Sequence, residues 1–345
     1  VVRFRADATA TIGVGHVMRT LTLAAAARAR GHDVALHAAA LPSQLVARAR
    51  RDGIVVERVA ARPGSVADAE ELATHGADVL WTDGYDFDDA YMEALGRSDA
   101  MLAATDDGRE RSLLGVALVV NPNPHAGDAM YADLVGTTVL TGLRFALVRG
   151  EVVELRRRRF TPARVRRVVV SLGGTDPGGL AAPLLESLLR DVPADIVVDV
   201  AIGLDNPRAG DIQCIAAGDP RRCRVIAPDG LAAALAGSDL AVLAAGSTLW
   251  EAAAVGVPVV SVIVADNQAG LLSWPGAAAW TEVCDARRRD DFDAAAAHVV
   301  ALVDAAARRR AMSVLGKRLV DGRGATRVVA TLERTVARRK VVRHG

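Results

Sequence analysis

Short apolar runs alternate with longer Ala-rich stretches along most of the chain, and this rhythm predicts strands alternating with helices. In the first half, strands are expected over 1–6 (VVRFRA), 33–38 (DVALHA), 54–59, 78–83 (DVLWTD), 100–105 and 116–121. Helices are expected between them over 16–30, 42–52, 66–75 and 88–97. After an Arg-rich bridge at 156–167 the rhythm restarts, with strands over 165–172, 194–202, 223–227, 239–245 and 257–265. Helices there end near Arg190, cover 231–237 and start from Ser247. Nearly continuous apolar strands separated by helices imply parallel sheets covered on both faces.

The expected fold class is α/β: two doubly wound, Rossmann-like domains facing each other across a cleft. The boundaries expected are an N-terminal domain over 1–150, a linker over 151–165, a C-terminal domain over 166–325 and a C-terminal helix or tail over 326–345. A length of 345 residues fits two domains. In such sheets ligands sit beyond the carboxyl ends of the strands. The loops that can carry a site are therefore 7–16, 83–88, 106–109, 173–179, 244–248 and 265–268.

Composition narrows the chemistry. Aromatic residues make up only 3% of the chain, so its cores rest on Ala, Val and Leu. The net charge is +1, which argues against a nucleic-acid partner. The only lysines are Lys317 and Lys340, so no phosphate-loop or kinase lysine precedes them, and Schiff-base chemistry is disfavoured. Arg runs at 156–159, 287–289, 308–310 and 338–343 read as solvated faces. Cys214, Cys223 and Cys284 have neither zinc spacing nor a disulfide framework, and a reducing, cytoplasmic setting is expected. The opening VVRFRAD carries charges within its first six residues and has no apolar signal-peptide core, so no signal peptide is expected there. The apolar stretch 240–265 carries one charge, Glu251, but its Gly-Ser and Gly-Val-Pro breaks predict strand, helix and strand, so no membrane insertion is expected.

Several of these loops carry candidate chemistry. Gly13 and Gly15 precede His16 at the start of a helix, where a tight turn and a helix N-terminus suit an anionic group. A dinucleotide fingerprint would place glycine at Met18 and an acid at His37, and both are absent. His16 is a candidate general base, since the helix dipole favours the neutral ring; its alternative is a simple helix cap. Asp83, Asp106 and Asp107 follow strands and can orient a sugar or a histidine, or can cap turns. Gly173-Gly174-Thr175-Asp176 and Gly246-Ser247-Thr248 offer N–H and hydroxyl groups to phosphates. Glu251, in an apolar helix, needs either a ribose diol or an arginine as partner. Asp266-Asn267-Gln268 ends the next strand and can reach the same ligand.

Together RADATATIGVGHVMR, VVVSLGGTDP, AGSTLWEAAAVGVP and VADNQ resemble the UDP-sugar hydrolases of pseudaminic acid biosynthesis. That family removes UDP from UDP-2,4-diacetamido-2,4,6-trideoxy-β-L-altrose and has the two-domain GT-B architecture, as does the inverting glycosyltransferase of lipid II synthesis. The resemblance implies that His16 activates water, that Tyr85 and Asn267 sit near the sugar, and that Gly173, Gly174, Ser247 and Thr248 hold the diphosphate. Gly13, Gly15 and Gly246 belong to the same substrate loops. It further implies that Glu251 binds the ribose, that the backbone of Ile226 meets uracil, and that Gln268 approaches phosphate or sugar. No cofactor or metal is implied, and the expected partner is a small-molecule UDP-sugar. Two departures stand out: Asp83-Gly84-Tyr85 replaces the family's Asp-His-Tyr, and the segment after Gln268 is shorter. A UDP-sugar hydrolase is the leading expectation. A GT-B inverting glycosyltransferase, which would need an acceptor to release UDP, is the first alternative. An inactive nucleotide-sugar-binding protein, which would bind UDP without turnover, is the second.

Overall fold

Apolar residues on both faces of the central strands leave each sheet needing helices on both sides, and a computed structural model of the chain has that arrangement twice. It describes all residues except 10–12, 110, 112, 157–160, 175, 177, 204–205, 288–291 and 345, and the side chains of 267 and 342–344. The chain divides into two compact units, Val1–Leu147 with Arg323–Gly345, and Val148–Gly322.

Unit 1 runs β1 (Val2–Arg5), α1 (Gly15–Ala29), β2 (Val34–Ala38), α2 (Ser43–Arg51), β3 (Val55–Arg58), α3 (Val66–Ala73), β4 (Val79–Thr82), α4 (Asp89–Leu95), β5 (Met101–Thr105), β6 (Leu118–Asn121) and β7 (Thr138–Thr141). Unit 2 runs α5 (Gly150–Arg156), β8 (Arg167–Ser171), α6 (Ala181–Asp191), β9 (Val197–Ala201), α7 (Ala209–Gly218), β10 (Cys223–Ile226), α8 (Leu231–Gly237), β11 (Leu240–Ala244), α9 (Thr248–Val255), β12 (Val259–Ile263), α10 (Ala277–Trp280), β13 (Thr281–Asp285), α11 (Phe292–Asp304) and α12 (Ala306–Leu319). The last helix, α13 (Gly324–His344), returns to unit 1 and packs on α1.

The unit 1 sheet has the order β3-β2-β1-β4-β5-β6-β7 and the unit 2 sheet β10-β9-β8-β11-β12-β13, every pair being parallel. Strand side chains alternate between the two faces. Phe4 and Trp81 pack with Leu21 of α1 and Val328 of α13, whereas Leu80 and Leu102 pack with Leu72 of α3 and Tyr91 of α4. Two helix starts are capped by side chains: at α3 Ser65 accepts from the Asp68 N–H at 3.2 Å, and at α4 Asp88 accepts from the Tyr91 N–H at 2.9 Å.

Some elements go beyond the sequence pattern. The stretch expected as a linker holds α5, and α7, α10–α12, β13 and β7 were not anticipated. Every residue of β7 is half-buried, so no clean alternation marks it. The stretch 240–265 divides into β11, α9 and β12, and no helix among the described residues is long and apolar enough to cross a membrane.

The arginine runs are not uniformly solvated faces. Arg309 is fully buried and donates to the carbonyls of Leu302, Val303, Pro162 and Ala163. Arg156 donates to the carbonyls of Ala254, Lys317 and Val320, closing helix ends that carry unsatisfied C=O groups. Residues 157–159 and 288–289 of these runs lie outside the described residues.

Arg5 points to the face opposite Phe4 and is also fully buried. It pairs bidentately with the buried Asp68 of α3 at 2.9 and 2.8 Å and with Asp7 at 2.6 Å, and lies over the Phe87 ring at 5.2 Å. Removing one partner of a buried ion pair strands its charge and costs about 3–5 kcal/mol. Asp68→Ala is therefore expected to lower the unfolding free energy of unit 1 by about 3–5 kcal/mol, checked by urea denaturation followed by circular dichroism.

Candidate active site

In each unit the first strand is where strand order reverses: β1 lies between β2 and β4, and β8 lies between β9 and β11. Crossovers leave in opposite directions there, opening a crevice at the strands' carboxyl ends. In unit 1 that crevice gathers the first turn of α1 and the residues following β4 and β5.

His16 is buried in the first turn of α1, and its Nδ1 lies 2.8 Å from Oδ1 of the fully buried Asp83. Arg19, one helical turn on, donates from Nε and Nη2 to Asp83 at 2.7 and 2.6 Å and from Nη1 and Nη2 to Asp107 at 2.7 and 2.9 Å. The Arg19 Nη2 also lies 3.0 Å from His16 Nδ1. A guanidinium only donates, and Arg19 already has carboxylate acceptors. An ionised carboxylate only accepts, so we assign the Nδ1 proton to the His16–Asp83 bond. That tautomer leaves Nε2 as the basic position, as in histidine bases oriented by an acid.

Tyr85 meets the His16 ring edge-on, with centroids 4.6 Å apart and planes at 88°, and its hydroxyl donates to Asp107 at 3.3 Å. Asn123 also donates to Asp107, at 2.9 Å. His16, Arg19, Tyr85, Asp106, Asp107 and Arg111 line a cavity of about 320 Å³. Asp106 is occupied structurally, accepting from the Tyr131 hydroxyl at 2.6 Å and the Arg109 N–H at 2.9 Å. Gly84 has a steric reason: a Cβ there would stand 2.9 Å from the Phe87 ring. Gly13 closes the loop before α1, bonding its N–H to the Thr9 carbonyl at 2.9 Å with φ +78°, a conformation that disfavours a side chain. Gly15 is the first residue of α1, whose N-terminus has no side-chain cap. Thr11 and Ile12 of the same motif lie outside the described residues.

In unit 2 the loops after β8 and β11 leave adjacent strands. Gly173 has φ +96°, and the Gly174 carbonyl packs so close to Gly203 that a Cβ at 203 would stand 2.0 Å from it. Asp176 takes the Leu180 and Ala181 N–H groups at 2.9 and 3.0 Å, so those two donors of the α6 start are already satisfied. Thr175 and Pro177 lie outside the described residues. Gly246 turns the chain into α9, Ser247 and Thr248 begin that helix, and its N-terminus has no side-chain cap.

Glu251 has an arginine partner: Arg149 donates from Nε and Nη2 to its two oxygens at 2.5 and 2.6 Å, and both side chains are buried. Gln268 turns its Oε1 back to the Val264 N–H at 2.9 Å. Ile226 ends β10, the edge strand two places from β8. The backbone of Asn267 follows β12, and its side chain lies outside the described residues. The structure thus brings His16, Tyr85 and Asp83 together, and sets Ile226 apart from the Gly173–Gly174 and Gly246–Thr248 loops. Sequence reasoning assigned no role to Arg19 or Arg149, whereas Asp107 was among the strand-end acids expected to orient a sugar or a histidine. Arg19 was detectable in principle, three residues after His16 on one helix face; Arg149, far from Glu251 in sequence, left no local signal.

No protein-family model matches the sequence, nor does any curated protein. Solved structures do match over nearly the whole chain. MurG from Acinetobacter baumannii is 15% identical with a TM-score of 0.63, over 96% of this chain and 99% of that one. UDP-GlcNAc 2-epimerase from Neisseria meningitidis, bound to UDP-GlcNAc, is 10% identical with a TM-score of 0.69, over 97% of this chain and 100% of that one. HepE from Anabaena, in complex with UDP and glucose, is 14% identical with a TM-score of 0.59, over 97% of this chain and 99% of that one. The chain has the GT-B fold.

Burial pushes the Asp83 and Asp107 carboxyls up, but the Arg19 charge and the hydrogen bonds they receive outweigh it and hold both below their usual value near 3.8. Depressed acids contribute stability that is complete above the unfolded value and is lost as pH falls through the folded one. Asp107→Asn removes one such acid from this GT-B protein. Its unfolding free energy is expected to fall less steeply than wild type as pH drops below about 4, measured by urea denaturation at stepped pH.

Proposed function

We propose that the protein is a nucleotide-sugar hydrolase that releases UDP from a UDP-activated acetamido or diacetamido deoxy sugar. The observation that carries this reading is His16, whose Nδ1 is held by Asp83 and which lines a cavity of about 320 Å³. That volume lies at the lower end of ligand pockets, about 300–1,000 Å³, and suits a sugar rather than a whole nucleotide-sugar. The resemblance to UDP-sugar hydrolases supports water as nucleophile. Structures of this fold described with bound UDP or UDP-GlcNAc support a uridine nucleotide as leaving group.

On this reading His16 Nε2 takes a proton from water while the water oxygen bonds to the anomeric carbon with inversion. The bond from that carbon to the β-phosphate oxygen breaks, and its electron pair leaves with UDP. Asp83 steadies the imidazolium that forms, and Arg19 keeps Asp83 ionised and in place. Tyr85 and Asn267 contact the sugar. Gly13 and Gly15 let the backbone approach it closely. The N–H groups and hydroxyls of Gly173, Gly174, Gly246, Ser247 and Thr248 stabilise charge on the diphosphate without a lysine. Glu251 binds the ribose through lone pairs that Arg149 does not use, Ile226 offers backbone groups to uracil, and Gln268 offers its amide NH₂ to phosphate or sugar.

The test is UDP release from a panel of UDP-activated N-acetylated amino sugars with no acceptor added, for wild type and His16→Ala. Wild type is expected to release UDP, and the variant to lose about 10²–10⁴-fold in rate while binding UDP as before. An undiminished rate in His16→Ala removes the role given to His16. UDP binding without release moves the reading to a transferase that requires an acceptor, and conversion of the UDP-sugar to an epimer replaces hydrolysis altogether.

A further inference from the structure

Away from the His16 cavity, the edge of the unit 1 sheet holds a second polar cluster that the proposed reaction does not use. His37 of β2 and Glu57 of β3 are direct partners across neighbouring strands, and His75 lies in the turn that follows α3. His37 is fully buried, and among the described residues neither of its ring nitrogens has a hydrogen-bond partner. A buried polar group left unpaired forfeits its hydration without compensation, so such an imidazole on an interior strand calls for a partner.

The geometry points to the kind of partner. The Nδ1 atoms of His37 and His75 lie 3.8 and 3.2 Å from the same Glu57 oxygen, Oε2. The two rings stack obliquely, with centroids 4.3 Å apart and planes at 55°. One ligand atom from each of the three residues lies within 4.8 Å of the others. Tetrahedral Zn²⁺ with bonds of about 2.0–2.1 Å spaces its ligand atoms about 3.3 Å apart, so small side-chain movements close the set. Arg3 and Arg5, the cations nearest His37 on β1, are paired with Asp33 and with Asp7 and Asp68, respectively.

We propose that His37, Glu57 and His75 bind a divalent transition metal of the zinc class, with water as the fourth ligand. Two imidazoles and one carboxylate suit Zn²⁺ and its neighbours rather than Mg²⁺ or Ca²⁺, which take all-oxygen sets. Glu57 and His75 are each about one-third exposed, which leaves the solvent side open for the water. The metal gives a buried His37 nitrogen its partner. It also ties the edge strand β3 and the α3–β4 turn to β2, in a role independent of the hydrolase reading.

The test uses the full-length, tag-free protein stripped with chelator, then titrated with Zn²⁺ or with Co²⁺ as a spectroscopic probe. The variants are His75→Ala and Glu57→Gln, both at partly exposed positions, with metal-free thermal midpoints measured to establish that each folds. Wild type is expected to bind one equivalent of Zn²⁺ more than either variant, and to show the strong visible bands of tetrahedral Co²⁺. Zn²⁺, and not Mg²⁺, should raise its thermal midpoint. In the variants affinity should fall by more than the roughly 10–100-fold typical of losing an outer-shell contact. Equal Zn²⁺ stoichiometry and equal midpoint shifts in all three proteins, or Co²⁺ bands that survive in the variants, overturn the site.

Discussion

One guanidinium organises the unit 1 site. Arg19 on α1 donates to the acids that follow β4 and β5, Asp83 and Asp107, and so fastens the ends of two strands to one helix turn. Two carboxylates this close would repel each other in a buried site, and the arginine reverses the sign of that interaction. With Asp83 ionised, the Nδ1 proton of His16 has an acceptor, and the basic position moves to Nε2. Tyr85 then has a fixed ring to lean on and a fixed carboxylate to bond. The tautomer, the ring orientation and the cavity wall all follow from where Arg19 sits.

The same device recurs across a chain nearly without lysine. Arg5 is clamped by Asp68 and Asp7, Arg149 holds both oxygens of Glu251, and Arg111 donates to the carbonyls of Gly84, Phe87 and Thr105. A planar fork with five donors satisfies carboxylates and carbonyls in places where a lysine's single ammonium would leave acceptors unmet. Small side chains in the helices complement it. Ala24 and Ala27 of α1 are fully buried, as are Ala252 and Ala254 of α9. Long, buried arginines can coexist with a core this poor in aromatic residues because each fork ends on fixed acceptors rather than on apolar surface.

Much of the architecture is legible in the sequence. Parallel strands buried on both faces are short apolar runs, so β2, β4, β5, β8, β11 and β12 announce themselves, and the loops at their carboxyl ends follow from the fold class. Elements with weaker contrast did not: β7 is half-buried throughout, and α7 begins and ends among glycines. The candidate site was legible in the same uneven way. His16, Asp83 and Tyr85 sit at loop positions that the strand pattern marks, whereas Arg309 looked like part of a solvated run because burial of an arginine leaves no periodic trace.

Local patterning and composition carry the doubly wound architecture, the loops at the strands' carboxyl ends and the reliance on arginine, because each is written in short stretches of the chain. Tertiary structure alone decided who partners whom. Asp83 takes His16 rather than a turn, Glu251 faces Arg149, and His37, Glu57 and His75 converge at one sheet edge. Those pairings join residues far apart in the chain, and an ion pair or hydrogen bond depends on distances of a few ångströms that only packing sets.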